Sequence, residues 1–435
     1  MEVAKALTDK IENLKARVGV IGLGYVGLPL AVLMAKRGFS VIGVEVSQEK
    51  VKAVNRGRSY IPDLPSEELS YVVKKGRLKA TSDFSSTAEM DSISICVPTP
   101  LRKTKDPDIS YVLEAVQGIA SHLKRGQLII LESTTYPGTT EELILPILSA
   151  TGLKVGVDFF LAFSPERVDP GNQKFNLQNT PKVVGGITPQ CARIARHFYE
   201  KFIDRVIVVS STRCAEMVKL LENTFRAVNI ALVNEMAIMC DKLKVDTWEV
   251  IEAAATKPFG FMTFYPGPGL GGHCIPVDPH YLSWKLKTLD YHARFIEFAR
   301  EINGNMPHYV VGKINDALNR GRKSINGSRF LIIGVAYKRD VNDWRESPAL
   351  DIMRLLRDRG GRVCYHDPFI PRLKDDCFDE RSVPLTAKRL RGSDCTVIVT
   401  DHSNIDWRWV VKEAKLVVDT RNATRGILSD KIVKL

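Results

Sequence analysis

Short runs of β-branched and aliphatic residues alternate with longer amphipathic segments through the first half of the chain. This rhythm predicts parallel strands that alternate with helices on both faces of one sheet. The predicted strands cover residues 17–22, 40–45, 92–97, 127–132, 159–163 and 205–209. Beyond Pro307 a second αβ pattern begins, with predicted strands at 329–334, 362–366, 395–400 and 416–419.

Between the two αβ regions, residues 214–242 contain neither Gly nor Pro and carry apolar residues at helical spacing. This pattern predicts one long helix that links two domains. The sequence therefore predicts an α/β fold with two Rossmann-like, doubly wound domains joined by a central helical segment. We expect domains at residues 1–210, 211–306 and 307–435, the middle one carrying a glycine-rich cysteine loop and contributing to dimerisation.

Composition narrows the class of protein. With 435 residues, 44% of them hydrophobic, the chain can bury large cores, and disorder is excluded. No apolar run approaches the roughly 20 residues of a membrane span, and the N-terminal region is charged, so we expect a cytoplasmic protein without membrane partners. The eight cysteines show no metal-ligand spacing and are too sparse for a disulfide framework.

The formal charge of +12 comes from basic residues that are interspersed with acids rather than gathered in blocks. This distribution argues against a nucleic-acid partner and favours small polyanionic ligands, such as a phosphorylated substrate and cofactor.

The first predicted strand runs into a glycine turn that opens a helix. Gly22 permits the bend, Gly24 leaves room for a pyrophosphate, and Gly27 lets the helix pack on the strand. Glu45 follows the second predicted strand, where an acid binds ribose hydroxyls and repels a 2′-phosphate. The pattern predicts an NAD site; the alternative is a glycine turn that binds nothing.

Cys274 lies in a segment whose glycines and prolines exclude regular structure, Tyr265-Pro-Gly-Pro-Gly-Leu-Gly-Gly-His-Cys-Ile-Pro-Val-Asp-Pro279. This setting favours a reactive thiol over an inert core thiol. Asp278 can orient a water or a general base. For His273, a ligand contact and a structural role remain open alternatives.

Lys219 and Asn223 are four residues apart on the predicted long helix and so project from one face. Such a pair can stabilise an oxyanion. By pattern alone, an exposed lysine and a helix-interior asparagine are the plainer interpretation.

Seven motifs occur in the order found in one enzyme family. They are Gly22-Leu-Gly-Tyr-Val-Gly27, Cys96-Val-Pro-Thr-Pro100, Glu132-Ser-Thr134, Phe163-Ser-Pro-Glu-Arg167, Lys219-Leu-Leu-Glu-Asn223, Gly271-Gly-His-Cys-Ile-Pro-Val-Asp278 and Gly334-Val-Ala-Tyr-Lys-Arg-Asp340. With them the chain resembles the UDP-glucose/GDP-mannose dehydrogenase family from start to finish, and most closely its UDP-N-acetyl-D-glucosamine 6-dehydrogenase branch.

The resemblance implies a role for each matching position. Cys274 would be the nucleophile, Lys219 and Asn223 the oxyanion stabilisers, and Asp278 with Thr134 the pair that positions the catalytic water, with Glu166 also acting in thioester hydrolysis. The implied cofactor-binding residues are Gly22, Gly24, Tyr25, Val26, Gly27, Glu45, Thr99 and Thr134. The implied substrate-binding residues are Glu166, Arg167, Lys219, Asn223, Gly271, Lys338 and Arg345. No metal is implied.

The family chemistry is an NAD-dependent, four-electron oxidation of the C6 hydroxyl of a UDP-sugar through a thiohemiacetal and a thioester. The segment Lys257-Pro-Phe-Gly-Phe261 resembles that of family members that oxidise UDP-N-acetylglucosamine, which implies a role in surface polysaccharide synthesis. UDP-N-acetylmannosamine and UDP-glucose are alternative substrates. A non-catalytic nucleotide-sugar binding protein and a two-electron dehydrogenase without a covalent step are the alternative functions. A homodimer or higher homo-oligomer is expected.

Overall fold

The computed structural model describes residues 2–102, 106–169, 171–172, 174–272, 274–375 and 377–435. The chain forms two compact units, the first comprising Met1–Glu222 with His280–Tyr291 and the second Asn223–Pro279 with His292–Leu435. Each unit is built on its own, mainly parallel sheet, and the predicted fold class is confirmed.

The first unit contains an eight-stranded sheet in the order β3-β2-β1-β4-β5-β6-β7-β8. Its strands are β1 (Arg17–Ile21), β2 (Ser40–Val44), β3 (Leu78–Thr81), β4 (Ser92–Ile95), β5 (Leu128–Leu131), β6 (Phe160–Phe163), β7 (Lys182–Gly186) and β8 (Val206–Val209). All neighbouring strands are parallel except β6 and β7. The strand order reverses between β1 and β4, and in such sheets ligands bind beyond the carboxyl ends of the strands at this point.

Helices cover both faces of this sheet. They are α1 (Glu2–Glu12), α2 (Gly27–Lys36), α3 (Gln48–Asn55), α4 (Ser66–Lys74), α5 (Ser110–Ala120), α6 (Leu145–Ser149) and α7 (Pro189–Tyr199), with a 3₁₀ helix at Phe84–Glu89 and a π-helical turn at Thr140–Ile144. The central strands are buried on both sides because two apolar clusters pack against them, one on each face.

The predicted long helix is confirmed as α8 (Thr212–Leu243), which has 32 residues. It begins in the first unit and ends in the second. The helices that follow are α9 (Thr247–Ala254), α10 (Asp278–Lys287) and α11 (Arg294–Arg320). Asp246 starts α9 because its carboxylate accepts the Trp248 and Glu249 amides.

The sheet of the second unit has five parallel strands in the order β10-β9-β13-β14-β15. Its strands are β9 (Arg329–Ile333), β10 (Arg362–His366), β13 (Cys395–Ile398), β14 (Val417–Asp419) and β15 (Ile432–Lys434), and a separate hairpin joins β11 (Arg372–Lys374) to β12 (Asp379–Arg381). The remaining helices are α12 (Pro348–Asp358), α13 (Ala387–Gly392) and α14 (Trp407–Glu413). Among the described residues, no helix combines the length and apolar character needed to cross a membrane.

Candidate functional site

The glycine turn after β1 has the shape that the sequence predicts. Gly22 has φ +89°, and a Cβ there would lie 2.8 Å from the Cys96 carbonyl oxygen. A Cβ on Gly27 would lie 1.9 Å from the Gly22 oxygen, so α2 packs directly on the end of β1. A Cβ on Gly24 would meet nothing within 4 Å. The turn therefore leaves open space at Gly24, at the strand-order reversal of the sheet.

Glu45 is buried and holds this turn from β2. One carboxylate oxygen accepts the Leu23 amide at 3.0 Å and the other accepts the Ser47 amide at 3.1 Å. The Lys50 Nζ lies 3.7 Å from the oxygen that accepts the Leu23 amide, and a carboxylate oxygen can accept a further hydrogen bond from a ligand hydroxyl. The open space at Gly24, the uncapped N-terminus of α2 at Val26 and this carboxylate fit a dinucleotide with a free 2′-hydroxyl.

The other predicted cofactor residues lie on loops of the same unit. Tyr25 is partly exposed on the turn. The carbonyl of Thr99 accepts the Tyr281 hydroxyl, which ties the segment after β4 to α10. Thr134 is half-buried just beyond β5, and the hydroxyl of its neighbour Ser133 donates to the Val97 carbonyl at 2.7 Å.

Glu166 follows β6, and each of its carboxylate oxygens has at least one donor. One of its oxygens accepts the Arg167 and Val168 amides at 2.7 and 2.8 Å, and the other lies 3.3 Å from the Lys182 Nζ. Burial opposes ionisation, but Lys182, these amides and Lys219 together lower the pKa of Glu166 below its ordinary value. Glu166 is therefore a carboxylate at neutral pH.

Two predicted substrate residues of the first unit are buried or paired. The guanidinium of Arg167 forms a two-nitrogen ion pair with Glu222 on α8, and it donates to the Pro181 carbonyl at 2.6 Å. Lys219 is buried on α8, one helical turn before Asn223. The plainer interpretation of an exposed lysine is therefore wrong for Lys219.

The second unit brings Cys274, Asp278 and Asn223 together. Cys274 is half-buried, and its carbonyl accepts the Asp278 amide at 2.7 Å, in the turn that leads into α10. The buried Asp278 carboxylate accepts the side-chain amide of Asn223 from α8 at 2.5 Å. Helix α8 thus fixes the acid that stands one turn beyond the cysteine.

The Gly271–Gly272 pair packs against the loop that follows β9. A Cβ on Gly271 would lie 2.7 Å from the Tyr337 Cβ, and Gly272, with φ +88°, donates its amide to the Arg345 carbonyl at 3.0 Å. Lys338 is half-buried next to Tyr337 in the same loop. The guanidinium of Arg345 is held by Asp343 at 2.6 Å. The cysteine segment and both predicted sugar-nucleotide residues, Lys338 and Arg345, therefore share one region.

A buried pair shapes the loop after β9. Asp367 accepts the Val335 and Ala336 amides at 2.7 and 2.9 Å, and its carboxylate also meets the His402 ring at 3.0 Å. The other nitrogen of His402 accepts the Asp340 amide. Burial opposes ionisation of Asp367, but these hydrogen bonds lower its pKa. The loop is thereby held at its start and again at Asp340.

Arg421 is a site candidate that the sequence analysis did not find. Its Nε donates to the Val399 carbonyl at 3.0 Å, and its Nη1 lies 2.5 Å from the position of a Cβ on Gly267. Burial lowers the pKa of Arg421 to about 10, with Asp419 opposing the shift. The guanidinium is packed beside the carboxyl ends of β13 and β14, where parallel sheets bind ligands. The only sequence signal is its place just after the last predicted strand.

His273 lies outside the described residues, so its two predicted roles stay open. Among the residues that the structure does describe, no group of three or more His, Cys, Asp or Glu side chains could hold a metal ion.

A dinucleotide turn in the first unit and a second parallel sheet beside a cysteine loop define the class of an NAD-dependent dehydrogenase. Three domain profiles of one family match in sequence order: the NAD binding domain over residues 16–203, the central domain over 213–305 and the UDP binding domain over 331–426. The chain belongs to the UDP-glucose/GDP-mannose dehydrogenase family, whose members are NAD-dependent nucleotide-sugar dehydrogenases.

Named relatives align over nearly the whole chain. A UDP-N-acetyl-D-mannosamine dehydrogenase of Pyrococcus horikoshii is 36% identical over 93% of this chain and 95% of its own length. A UDP-N-acetyl-D-glucosamine 6-dehydrogenase of Pseudomonas aeruginosa is 35% identical over 89% of this chain and 90% of its own. A solved UDP-D-ManNAc dehydrogenase structure from P. horikoshii has a TM-score of 0.88, covering 96% of this chain and 98% of that one.

Proposed function

We propose that this protein oxidises the C6 primary alcohol of UDP-N-acetylglucosamine to the uronic acid, in a four-electron reaction with a covalent intermediate on Cys274. The observation that supports it most is the Cys274, Asp278 and Asn223 arrangement beside the loop of Lys338 and Arg345. A two-electron dehydrogenase has no need of a nucleophile, whereas oxidation to the acid needs an intermediate that can lose a second hydride.

Cys274 acts after the alcohol has become an aldehyde. Its sulfur adds to the carbonyl carbon, and the carbonyl oxygen becomes the hydroxyl of a thiohemiacetal. NAD, held at the turn of Gly22, Gly24 and Gly27 with its ribose at Glu45, would supply a two-electron oxidant, and two NAD molecules per sugar would account for the four electrons removed. Lys219 and Asn223 donate hydrogen bonds to the oxygen that gains negative charge in these steps.

The thioester that results is released by water. Water oxygen bonds to the carbonyl carbon, the carbon–sulfur bond breaks, and the products are a carboxylate, the Cys274 thiol and one proton. Thr134 and Asp278 orient this water. Glu166 is suited to accept a hydrogen bond from it, because its carboxylate stays ionised at neutral pH.

Two observations bear on the identity of the amino sugar. The segment Lys257-Pro-Phe-Gly-Phe261 favours UDP-N-acetylglucosamine. UDP-N-acetylmannosamine is a second candidate, because several relatives at 36–37% identity act on that sugar according to their names. The product would serve surface polysaccharide synthesis, and we expect the reaction in the cytoplasm.

A substrate panel tests the assignment. The purified protein is incubated with NAD and UDP-N-acetylglucosamine, UDP-N-acetylmannosamine or UDP-glucose, and kcat/KM and the uronic acid product are measured for each. A kcat/KM at least tenfold higher for UDP-N-acetylglucosamine supports the proposal. A higher value for UDP-N-acetylmannosamine keeps the chemistry and overturns the sugar, and binding without turnover favours the non-catalytic alternative.

We also infer that a second copy of the chain covers one face of α8. Seven exposed apolar side chains follow each other at intervals of four, four, seven, four, three and four residues, which is the spacing of a helix–helix seam. They are Met217, Leu221, Phe225, Leu232, Met236, Met239 and Leu243. The stripe is about 39 Å long, and a two-fold partner can present the same stripe to it.

Light scattering after gel filtration tests the dimer. Leu232→Glu places a charge in the stripe and should give monomer, whereas Leu428→Glu changes a fully exposed leucine outside it and should leave the dimer intact. A dimer that persists in Leu232→Glu contradicts this interface.

A further inference from the structure

A lysine is buried between two carboxylates in the first unit. The Nζ of Lys182, the first residue of β7, lies 2.7 Å from Glu132 and 3.3 Å from Glu166. The side chains of Lys182, Glu132 and Glu166 are 5%, 0% and 14% exposed. The second oxygen of Glu132 accepts the Tyr199 hydroxyl at 2.8 Å, so both oxygens of this acid have partners.

The cluster connects two loops of the proposed site. Glu132 directly follows β5 and stands two residues before Thr134. Glu166 stands in the loop after β6, with its other oxygen fixed by two backbone amides. Lys182 therefore links the segment of Thr134, through Glu132, to the carboxylate of Glu166.

Stability alone is a weak reason for such an arrangement. Removing ions from water costs several kcal/mol each, and an apolar replacement of a buried ion pair is often no less stable. The 3.3 Å contact between Lys182 and Glu166 is the informative one, because a lysine that only neutralised Glu132 would need no second carboxylate. A carboxylate oxygen can accept more than one hydrogen bond, so Glu166 Oε2 can accept from a water as well as from Lys182.

We propose that Lys182 is a positioning residue for thioester hydrolysis: anchored by Glu132 and Tyr199, its ammonium holds Glu166 Oε2 as the acceptor that orients the water. This inference rests on the proposed function and deepens it. It assigns to Lys182 and Glu132 a role in the last step, separate from both oxidations.

The charge state of Glu166 follows from the same geometry. Because its pKa is lowered, its contribution to hydrolysis is present through the neutral range and lost only as the pH falls through that lowered value. Without Lys182, the nearest cation no longer offsets the effect of burial, and the pKa of Glu166 rises. The pH below which the hydrolysis rate falls, its acid limb, then moves upward toward neutral pH.

The test uses Lys182→Met combined with Glu132→Gln, which removes the lysine without leaving Glu132 as an unpaired charge and keeps an acceptor for Tyr199. Rapid-quench kinetics measure the first NADH formed, the thioester on Cys274 by intact mass, and the release of acid. We expect a near-normal first NADH, an accumulated thioester and acid release slowed about 10- to 100-fold at pH 7. The matched control, Lys201→Met with Glu12→Gln, removes an exposed ion pair of the same unit.

Lys182→Arg should restore acid release, because a guanidinium can bridge both carboxylates. The proposal would be overturned if the double variant released the uronic acid at the wild-type rate and this rate fell at the same low pH as in the wild type. Equal loss of the first NADH and of acid release would also overturn it, because that result marks general damage to the fold.

A second measurement does not require Lys182 to be replaced. The ratio of acid release between wild type and Glu166→Gln should stay constant from pH 5.5 to 8, because Lys182 keeps Glu166 ionised throughout. A ratio that rises severalfold across this range would contradict the proposal. Failure of the proposed function is distinguishable, because wild-type protein would then form no thioester on Cys274.

Discussion

The two glycines of the turn after β1 separate a role in cofactor binding from a role in packing. Alanine at Gly27 places a Cβ 1.9 Å from the Gly22 oxygen, whereas alanine at Gly24 meets no atom within 4 Å and needs no positive φ. If the open space at Gly24 receives the pyrophosphate of NAD, Gly24→Ala harms binding without harming the fold.

The magnitudes follow from these distances. A clash with a backbone oxygen can be relieved only by moving α2 from β1, so Gly27→Ala should lower the free energy of unfolding by about 3 kcal/mol. Gly24→Ala should change it by less than about 0.5 kcal/mol. The same variant should weaken NAD binding at least tenfold, which corresponds to about 1.4 kcal/mol.

Urea unfolding measures the stability of each variant, and calorimetric titration measures the Kd for NAD. Gly312→Ala is the matched control, since Gly312 lies on α11 in the second unit and a Cβ there also meets nothing within 4 Å. A Gly24→Ala variant that binds NAD as tightly as wild type would refute the assignment of this space to the cofactor.

Three further predictions concern cofactor selectivity, a buried amide network and the pH dependence of stability. Glu45→Ala should weaken NAD binding about tenfold and reduce the discrimination against NADP, measured as the ratio of the two Kd values, because the carboxylate that repels a 2′-phosphate is gone. Asn234→Ala should lower the free energy of unfolding by about 2–5 kcal/mol, because it leaves the Gly267 amide and the Asn303 side-chain oxygen unpaired in the core. Burial raises the pKa of Glu216 to about 7, although hydrogen bonds from Thr140 and Gly138 oppose this shift. Between pH 4.5 and 7 the native state therefore keeps a proton that the unfolded chain releases. As the pH rises through this range, Glu216 should lower the free energy of unfolding by about 3 kcal/mol.

Each of these has its own control. An unchanged NAD to NADP ratio in Glu45→Ala would show that this acid does not recognise the ribose. Asn319→Ala, at an exposed position of α11, should cost less than about 0.5 kcal/mol, and an equal cost in Asn234→Ala would contradict the buried network. The pH dependence of unfolding between pH 4.5 and 7 should be smaller in Glu216→Gln, and an undiminished slope would show that another group causes it.

Much of the fold could be predicted from apolar patterning. Each predicted strand overlaps an observed one, because β-branched runs bounded by turns are typical of buried parallel strands. The strands β3, β7, β11, β12 and β15 were missed. In β3, Leu78-Lys-Ala-Thr81 is short and only partly apolar, and β7 starts with a lysine and ends with two glycines, residues that weaken a strand signal.

The local geometry of residues within a motif could be predicted from the sequence. Contacts and burial that depend on tertiary packing could not. Gly22, Gly27 and Glu45 have the local geometry that their spacing indicates. The contact between Asn223 and Asp278 joins residues 55 positions apart and depends on how α8 packs. Lys182 and Arg421 were missed because a charged residue near a strand end is ordinarily solvated, and only the folded chain shows that these two are enclosed.

The number of NADH molecules formed per sugar distinguishes a covalent four-electron oxidation from a two-electron one. With limiting UDP-N-acetylglucosamine and excess NAD, the account predicts two NADH and one uronic acid per sugar, and no acid from Cys274→Ala, which should still bind the nucleotide sugar. One NADH per sugar, or normal acid formation by Cys274→Ala, would contradict a covalent four-electron oxidation.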